Sequence, residues 1–276
     1  MAAAAREALG GRDAASVALV YGTGYGGLTA TVDFLEGMAV RGPAFASPMS
    51  FHQSVHNSPA GALSIALGIR GACLTVTARE LSGETALKVG LDLLASHRAE
   101  QVLVVAADEV VPALEAGYRA FGSRLIPGEG AAAVLLGAAS AGGAGDAGGA
   151  VGPSLVVELC ALDGHVGSLL RLQASPEALS PLLDLAARVA GPEPWVSPAP
   201  GDDAFRSAQR LALERAFPRA RIADDGGRFG FNPSGGLLRL VSLALRLGSG
   251  PGGAGVIHGA AQGGGQAVIV VRHVAG

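Results

Sequence analysis

The chain has 276 residues, 49% hydrophobic and only 16% charged, with a formal net charge of −3. That length supports one large domain or two closely packed halves around an ample core. The near-neutral balance offers no basic field for nucleic acid or an anionic membrane, and two cysteines, Cys73 and Cys160, with no CxxC pair, make no disulfide framework.

Residues 1–9 are Ala-rich but carry Glu7 and lack the apolar core of a signal peptide, so they read as a helix. Ser16-Val17-Ala18-Leu19-Val20-Tyr21 predicts a strand, followed by Gly22-Thr23-Gly24-Tyr25-Gly26-Gly27 and helical periodicity over 26–37. The glycine run satisfies GxGxxG. A dinucleotide site also needs a second strand ending in Asp or Glu about 20 residues on. Here a proline-punctuated loop follows instead, Val40-Arg41-Gly42-Pro43-Ala44-Phe45-Ala46-Ser47-Pro48. The run therefore reads as a tight strand-to-helix turn.

The segment Ser50-Phe51-His52-Gln53-Ser54-Val55-His56-Asn57-Ser58-Pro59-Ala60-Gly61 leads into helical periodicity over 58–68. Asn57 is suited to bonding turn backbone, Pro59 to opening the helix, and Gly61 to close helix packing. His52 and His56 lie four apart, but the following helix offers no third Cys, Asp or Glu ligand, so no metal is expected. Cys73 falls in an apolar strand run and reads as a small buried hydrophobe.

Helical periodicity returns over 83–97, 175–190, 203–216 and 235–247. Runs over 101–106, 131–136, 155–159 and 267–271 read as strands buried on both faces. Alternating strands and helices predict an α/β layered fold. Residues 137–152 are too glycine-rich for regular structure and divide the chain. No uninterrupted apolar stretch reaches the roughly 18 residues that would span a membrane, and the chain reads as cytoplasmic.

The segment Gly71-Ala72-Cys73-Leu74-Thr75-Val76-Thr77-Ala78-Arg79-Glu80-Leu81-Ser82-Gly83-Glu84-Thr85-Ala86-Leu87 resembles the strand–turn–helix of a β-ketoacyl synthase. In that family the turn presents a nucleophilic cysteine. Aligned on Thr75-Val76 and Ser82-Gly83, that position is Glu80. Two further matches are similar to the same family: SP-x-x-F…SVHN-x-PAG…SIA over 47–66, and GEGAA over 128–132. In the second, Glu129 is expected to brace a loop. The first is closest to a short branch that includes chain-length factors.

The resemblance implies a thiolase-like fold, with two βαβαβ halves stacked as αβαβα layers. It divides the chain into 1–138, a linker over 139–152, and 153–276, without the opening strand of a full synthase. It also implies two catalytic histidines, which stabilise the enolate and the developing oxyanion. The corresponding stretches, 195–205 and 228–237, contain none, and Gln262 stands where a gatekeeper phenylalanine would. The expectation is therefore no catalytic residue, no metal and no cofactor. Phe51, His52, Val55, His56, Asn57, Arg79, Glu80, Leu81 and Gln262 are expected at a subunit interface or acyl-tunnel wall, with Arg79 a candidate ion-pair partner for Glu80.

By resemblance the chain is a non-catalytic chain-length factor. It would pair with an active β-ketoacyl synthase, meet acyl carrier protein through that partner, and shape an acyl tunnel. The alternatives are a stand-alone acyl- or aromatic-binding homodimer, or a malonyl-carrier-protein decarboxylase using Glu80.

Overall fold

The computed structural model describes residues 1–138, 153–164, 172, 175–250 and 252–273; the glycine-rich stretch 139–152 lies outside them. In chain order the first half contains α1 (Ala2–Leu9), β1 (Ala18–Gly22), α2 (Leu28–Arg41), α3 (Pro48–Ser54), α4 (Ser58–Leu67), β2 (Cys73–Val76), α5 (Ser82–Ala95), β3 (Gln101–Asp108), α6 (Pro112–Ala120) and β4 (Gly130–Gly137). The second contains β5 (Leu155–Gly164), α7 (Pro176–Ala190), β6 (Trp195–Ser197), α8 (Asp203–Ala216), β7 (Arg221–Ile222), α9 (Gly226–Phe229), α10 (Gly235–Gly248), β8 (Ala254–Ala260) and β9 (Gly265–His273).

Local chemistry sets the helix ends. The Ser47 hydroxyl accepts from Ser50 N at 3.2 Å and the Asp202 carboxylate from Phe205 N at 2.9 Å, each capping an otherwise unpaired first-turn amide. Prolines open α3, α4, α6 and α7, where a missing N–H costs nothing. Gly10 and Gly68 close α1 and α4 in the left-handed conformation, at φ 58° and 72°.

The strands form two sheets, ordered β2-β1-β3-β4 and β5-β9-β8-β6-β7. In the first, β1 runs parallel to β2 and β3, and β4 antiparallel to β3. Read from β7, the second repeats that pattern: β6 is parallel to β7 and β8, and β9 antiparallel to β8. It then adds β5 antiparallel to β9.

Three apolar cores fix the layering. One packs α1 and α4 on the outer face of the first sheet, through Ala5, Leu9 and Leu63 against Leu19 and Leu103. The middle core packs α5 and α10 between the sheets, through Leu87, Leu237 and Leu243 against Val104 and Ile269. The third packs α7 and α8 on the outer face of the second sheet, through Leu183 and Phe205 against Val256 and Val270. This is the αβαβα arrangement.

Two strand readings are corrected. Residues 131–136 and 155–159, expected to be buried on both faces, belong to β4 and β5, which are edge strands among the described residues. In β4 only Ala132 is fully buried, because one flank has no neighbour. Gly61 meets nothing within 4 Å of a would-be Cβ, so no close helix approach requires it.

The halves are cross-braced by an ion pair. Glu84 on α5 accepts from Arg239 on α10 at 3.1 Å, both side chains at least 96% buried. Three more guanidinium protons go to the carbonyls of Ser197, Gly235 and His258. Gly236 and Gly259 border the Glu84 carboxylate so closely that a Cβ on either would collide with it.

Candidate functional site

The expected nucleophile turn joins β2 to α5. Ser82 N donates to the Arg79 carbonyl at 3.2 Å, the Ser82 hydroxyl to the same carbonyl at 2.6 Å, and Ala78 N to the Ser82 oxygen at 3.0 Å. The serine hydroxyl is thus consumed by the turn. Arg79 sits at φ 53°, a left-handed conformation unusual for a residue with a side chain. The next residue, Glu80, is thereby turned inward, its side chain only 9% exposed.

Glu80 Oε2 lies 3.8 Å from Arg79 Nε. Burial pushes the Glu80 carboxyl above its ordinary value; Arg79 and the Gln262 backbone partly offset this. The sign follows by linkage: protonation is easier in the folded state than in the unfolded one. Glu80 therefore contributes stability that is fully present below its ordinary pKa of 4.5 and is lost as pH rises through the raised folded value. We expect Glu80→Gln to flatten that decline in a pH series of urea melts. An unchanged slope would place the titration elsewhere.

Next to this turn lies the glycine loop. Asp108, at the end of β3, accepts from Gly24 N at 3.0 Å, Tyr25 N at 2.9 Å and the Thr23 hydroxyl at 2.6 Å. The Ser234 hydroxyl, from the other half, donates to its second oxygen at 2.7 Å. Outward amides of a glycine loop make a nest for an anion. Here the anion is the chain's own carboxylate, which accounts for the motif without a nucleotide. Glu129 braces the neighbouring backbone, accepting from Val110 N at 3.2 Å.

The structure divides the sequence-predicted residues into two groups on either side of that loop. Phe51, His52, Val55, His56 and Asn57 are exposed; Phe51 stacks on Phe34 with ring centroids 5.5 Å apart, and His56 packs on Gly26. Asn57 makes no side-chain cap bond, contrary to expectation, because its own backbone is already helical at φ −89° and ψ −6°. Arg79, Glu80, buried Leu81 and Gln262 form the second group, with the Arg79 carbonyl close to Gly24.

Cys73 is exposed on the edge of β2 rather than buried, because among the described residues β2 has a neighbour on one side only. Leu74 beside it is also exposed, as elsewhere in the first half are Leu35, Val40, Phe45, Met49, Phe51 and Ile65, and neither α2 nor α3 buries any residue.

Residues 1–144 of the 276 match the family described as β-ketoacyl synthase, N-terminal domain. The chain belongs to the β-ketoacyl synthase family. No curated protein matches it by sequence. Solved structures share its thiolase-like fold. Against the ishigamide ketosynthase/chain length factor, identity is 21% and the TM-score 0.73, covering 95% of this chain and 74% of that one. Against the AntDE:AntF type II polyketide synthase complex, an acyl-carrier protein with its ketosynthase, the values are 16% and 0.74, covering 97% and 78%. The oxazolomycin ketosynthase domain OzmH KS7 of Streptomyces albus JA3453 is 17% identical with a TM-score of 0.74, covering 93% and 54%.

The stretches 195–205 and 228–237 contain no histidine. In 228–237, Phe231 is 3% exposed and its backbone bonds Ile126 O and Gly128 N, at 2.8 and 3.0 Å. His258 is fully buried on the opposite face of β8 from Glu84, 2.7 Å from Gln209, with its pKa lowered to about 4 by burial. Sequence reading missed two groups near Glu80: Tyr25 and Tyr118, whose hydroxyls lie 3.0 Å apart. The glycine motif hid the first, and the second lies on α6, outside the stretches read as helical.

Among the described residues no helix is long and apolar enough to cross a membrane, and no cluster of His, Cys, Asp or Glu could hold a metal.

Proposed function

We propose that this chain is a non-catalytic chain-length-factor subunit that pairs with an active β-ketoacyl synthase and shapes its acyl tunnel, meeting acyl carrier protein through that partner. The observation that carries the reading is Glu80: a buried carboxylate at the turn where the family resemblance puts a cysteine. A carboxylate cannot carry an acyl chain as a thioester. The β2 edge supports the pairing. Among the described residues the β2 edge has no second strand, and its Cys73 and Leu74 are exposed; such an edge invites strand addition by another chain. Shaping a tunnel requires only bulk from the 51–57 segment and the 79–81 turn. The division into residues 1–138 and 153–276 belongs to the same reading.

The test is the composition of the native complex, purified on a tagged copy from the source organism. A 1:1 complex with a cysteine-bearing synthase, in which Cys73 becomes protected from thiol reagents, is the expected result. A homodimer without a synthase would overturn it. That outcome would favour ligand binding in the cavity of about 610 Å³ between α8 and residues 124–126.

A further inference from the structure

Residues 110–127 cross the surface beside the Glu80 turn. They are pinned at both ends, by Val110 N to the Glu129 carboxylate at 3.2 Å and by the bonds of Phe231 to Ile126 and Gly128. Between those pins lies α6, none of whose residues is fully buried. Phe121 and Ile126 are exposed at 76% and 78%. The N-terminal end turns at Val111-Pro112 and the C-terminal end at Gly122, φ 65°. Two side chains of the segment pack, half-buried, against the outer core of the second sheet: Leu125, at its C-terminal end, and Tyr118, whose hydroxyl meets that of Tyr25 at 3.0 Å. The Tyr118 phenol is close enough to feel the charges of both Glu80 and Arg79.

The same strap bounds the large cavity. Arg124, Leu125 and Ile126 form one wall, and Phe231 with Gly230 forms part of another. Pro233, two residues on, abuts Gly24, which in turn abuts the Arg79 carbonyl. The strap, the Phe231–Pro233 turn and the Glu80 turn are therefore consecutive neighbours, with the cavity at one end.

We propose that residues 111–125 are a hinged strap latched shut by the Tyr118–Tyr25 hydrogen bond, whose release opens the Glu80 turn to solvent and joins it to the cavity. The physical basis is a difference in local stability. A segment with few buried apolar contacts opens at low free energy, whereas the strands behind it do not. The part-buried hydroxyl contact near its centre then sets much of how often it opens. The strap can exist whether or not the chain is a chain-length factor, so the two readings fail separately.

The test measures hydrogen exchange on the intact chain, native and with Tyr118→Phe, Tyr25→Phe, or both. Each phenol-to-phenyl change keeps the ring and removes the latch. Amide exchange over 112–125 should rise about two- to tenfold, the range expected for one net hydrogen bond, while β1 and β3 stay protected. Because both substitutions break the same bond, the double variant should exchange no faster than either single one. A second readout uses C73S/E80C: labelling of the cysteine at 80 should accelerate by the same factor when Tyr118→Phe is added. Unchanged exchange over 112–125, additive effects of the two substitutions, or a rise spread equally over β1 and β3 would each overturn the strap.

Discussion

Replacing Glu84 by alanine is expected to destabilise the chain by about 3–5 kcal/mol, the cost of leaving a buried guanidinium without its counter-charge. Arg239 would keep its carbonyl partners but lose the carboxylate, in a site with almost no access to water. Because the pair joins α5 to α10 in the central layer, the loss falls on the contact between the two sheets. Stabilities of ordinary domains are of the same order, roughly 5–15 kcal/mol, so a chain recovered largely unfolded is one form the result can take. Removing both charges with similarly sized apolar residues should cost far less, since the desolvation of two ions is then avoided. Chemical denaturation of E84A and of an E84L/R239M chain checks this directly. If the double variant is no more stable than E84A, the ion pair is not what makes the single change costly.

Asp108→Ala should cost about 3 kcal/mol or more. The carboxylate accepts from two loop amides and two hydroxyls, and stranding buried donors costs about 1–3 kcal/mol each. The hydroxyls of Thr23 and Ser234 can rotate toward other acceptors; the amides of Gly24 and Tyr25 cannot. Damage should therefore concentrate in the glycine loop. It should also reach the neighbouring 51–57 segment, because His56 rests on Gly26. Hydrogen exchange at residues 23–27 reads the local effect and a urea melt the global one. A loop that keeps its protection in D108A would mean that the surrounding packing, not the carboxylate, holds it.

Much of this architecture could be read from the residues, for physical reasons that also explain what could not. The α8 helix was read over 203–216, its full extent, because Asp202 caps it and its apolar positions recur with helical period. The strand β3 was read because Val102–Val105 is buried on both faces, so its composition reports its surroundings. The short strands β6 and β7, three and two residues long, carry too few side chains to show a period. The β8 strand is interrupted by Gly255 and Gly259, which are required by Leu243 and by Glu84 rather than by the strand itself. Helix α6 spans only nine residues, and its one inward face, through Leu114 and Tyr118, is no more than half-buried, a weaker signal than the fully buried faces.

The site divides along the same line. Glu80 was visible because it interrupts a recognisable turn, and Arg79 beside it because the two are neighbours in sequence. Asp108 as the loop's anion was not visible, since it lies 84 residues from Gly24 along the chain. The exposure of Cys73 escaped reading too: Cys-Leu-Thr-Val describes a central strand and an edge strand equally well, and sheet order decides which it is.

The crowding around Glu84 has a consequence for how this protein can vary. Gly236 and Gly259 are held at glycine by the carboxylate they border, not by backbone conformation, since neither lies at positive φ. A side chain at either is excluded while Glu84 is present; at 259 the Leu81 side chain, 2.7 Å from a would-be Cβ, must give way as well. Five positions, 81, 84, 236, 239 and 259, thus form one mutational unit. Single changes lead downhill from the native sequence. The viable alternatives lie two or more substitutions away, so drift at this seam would be rare and, when it happens, concerted.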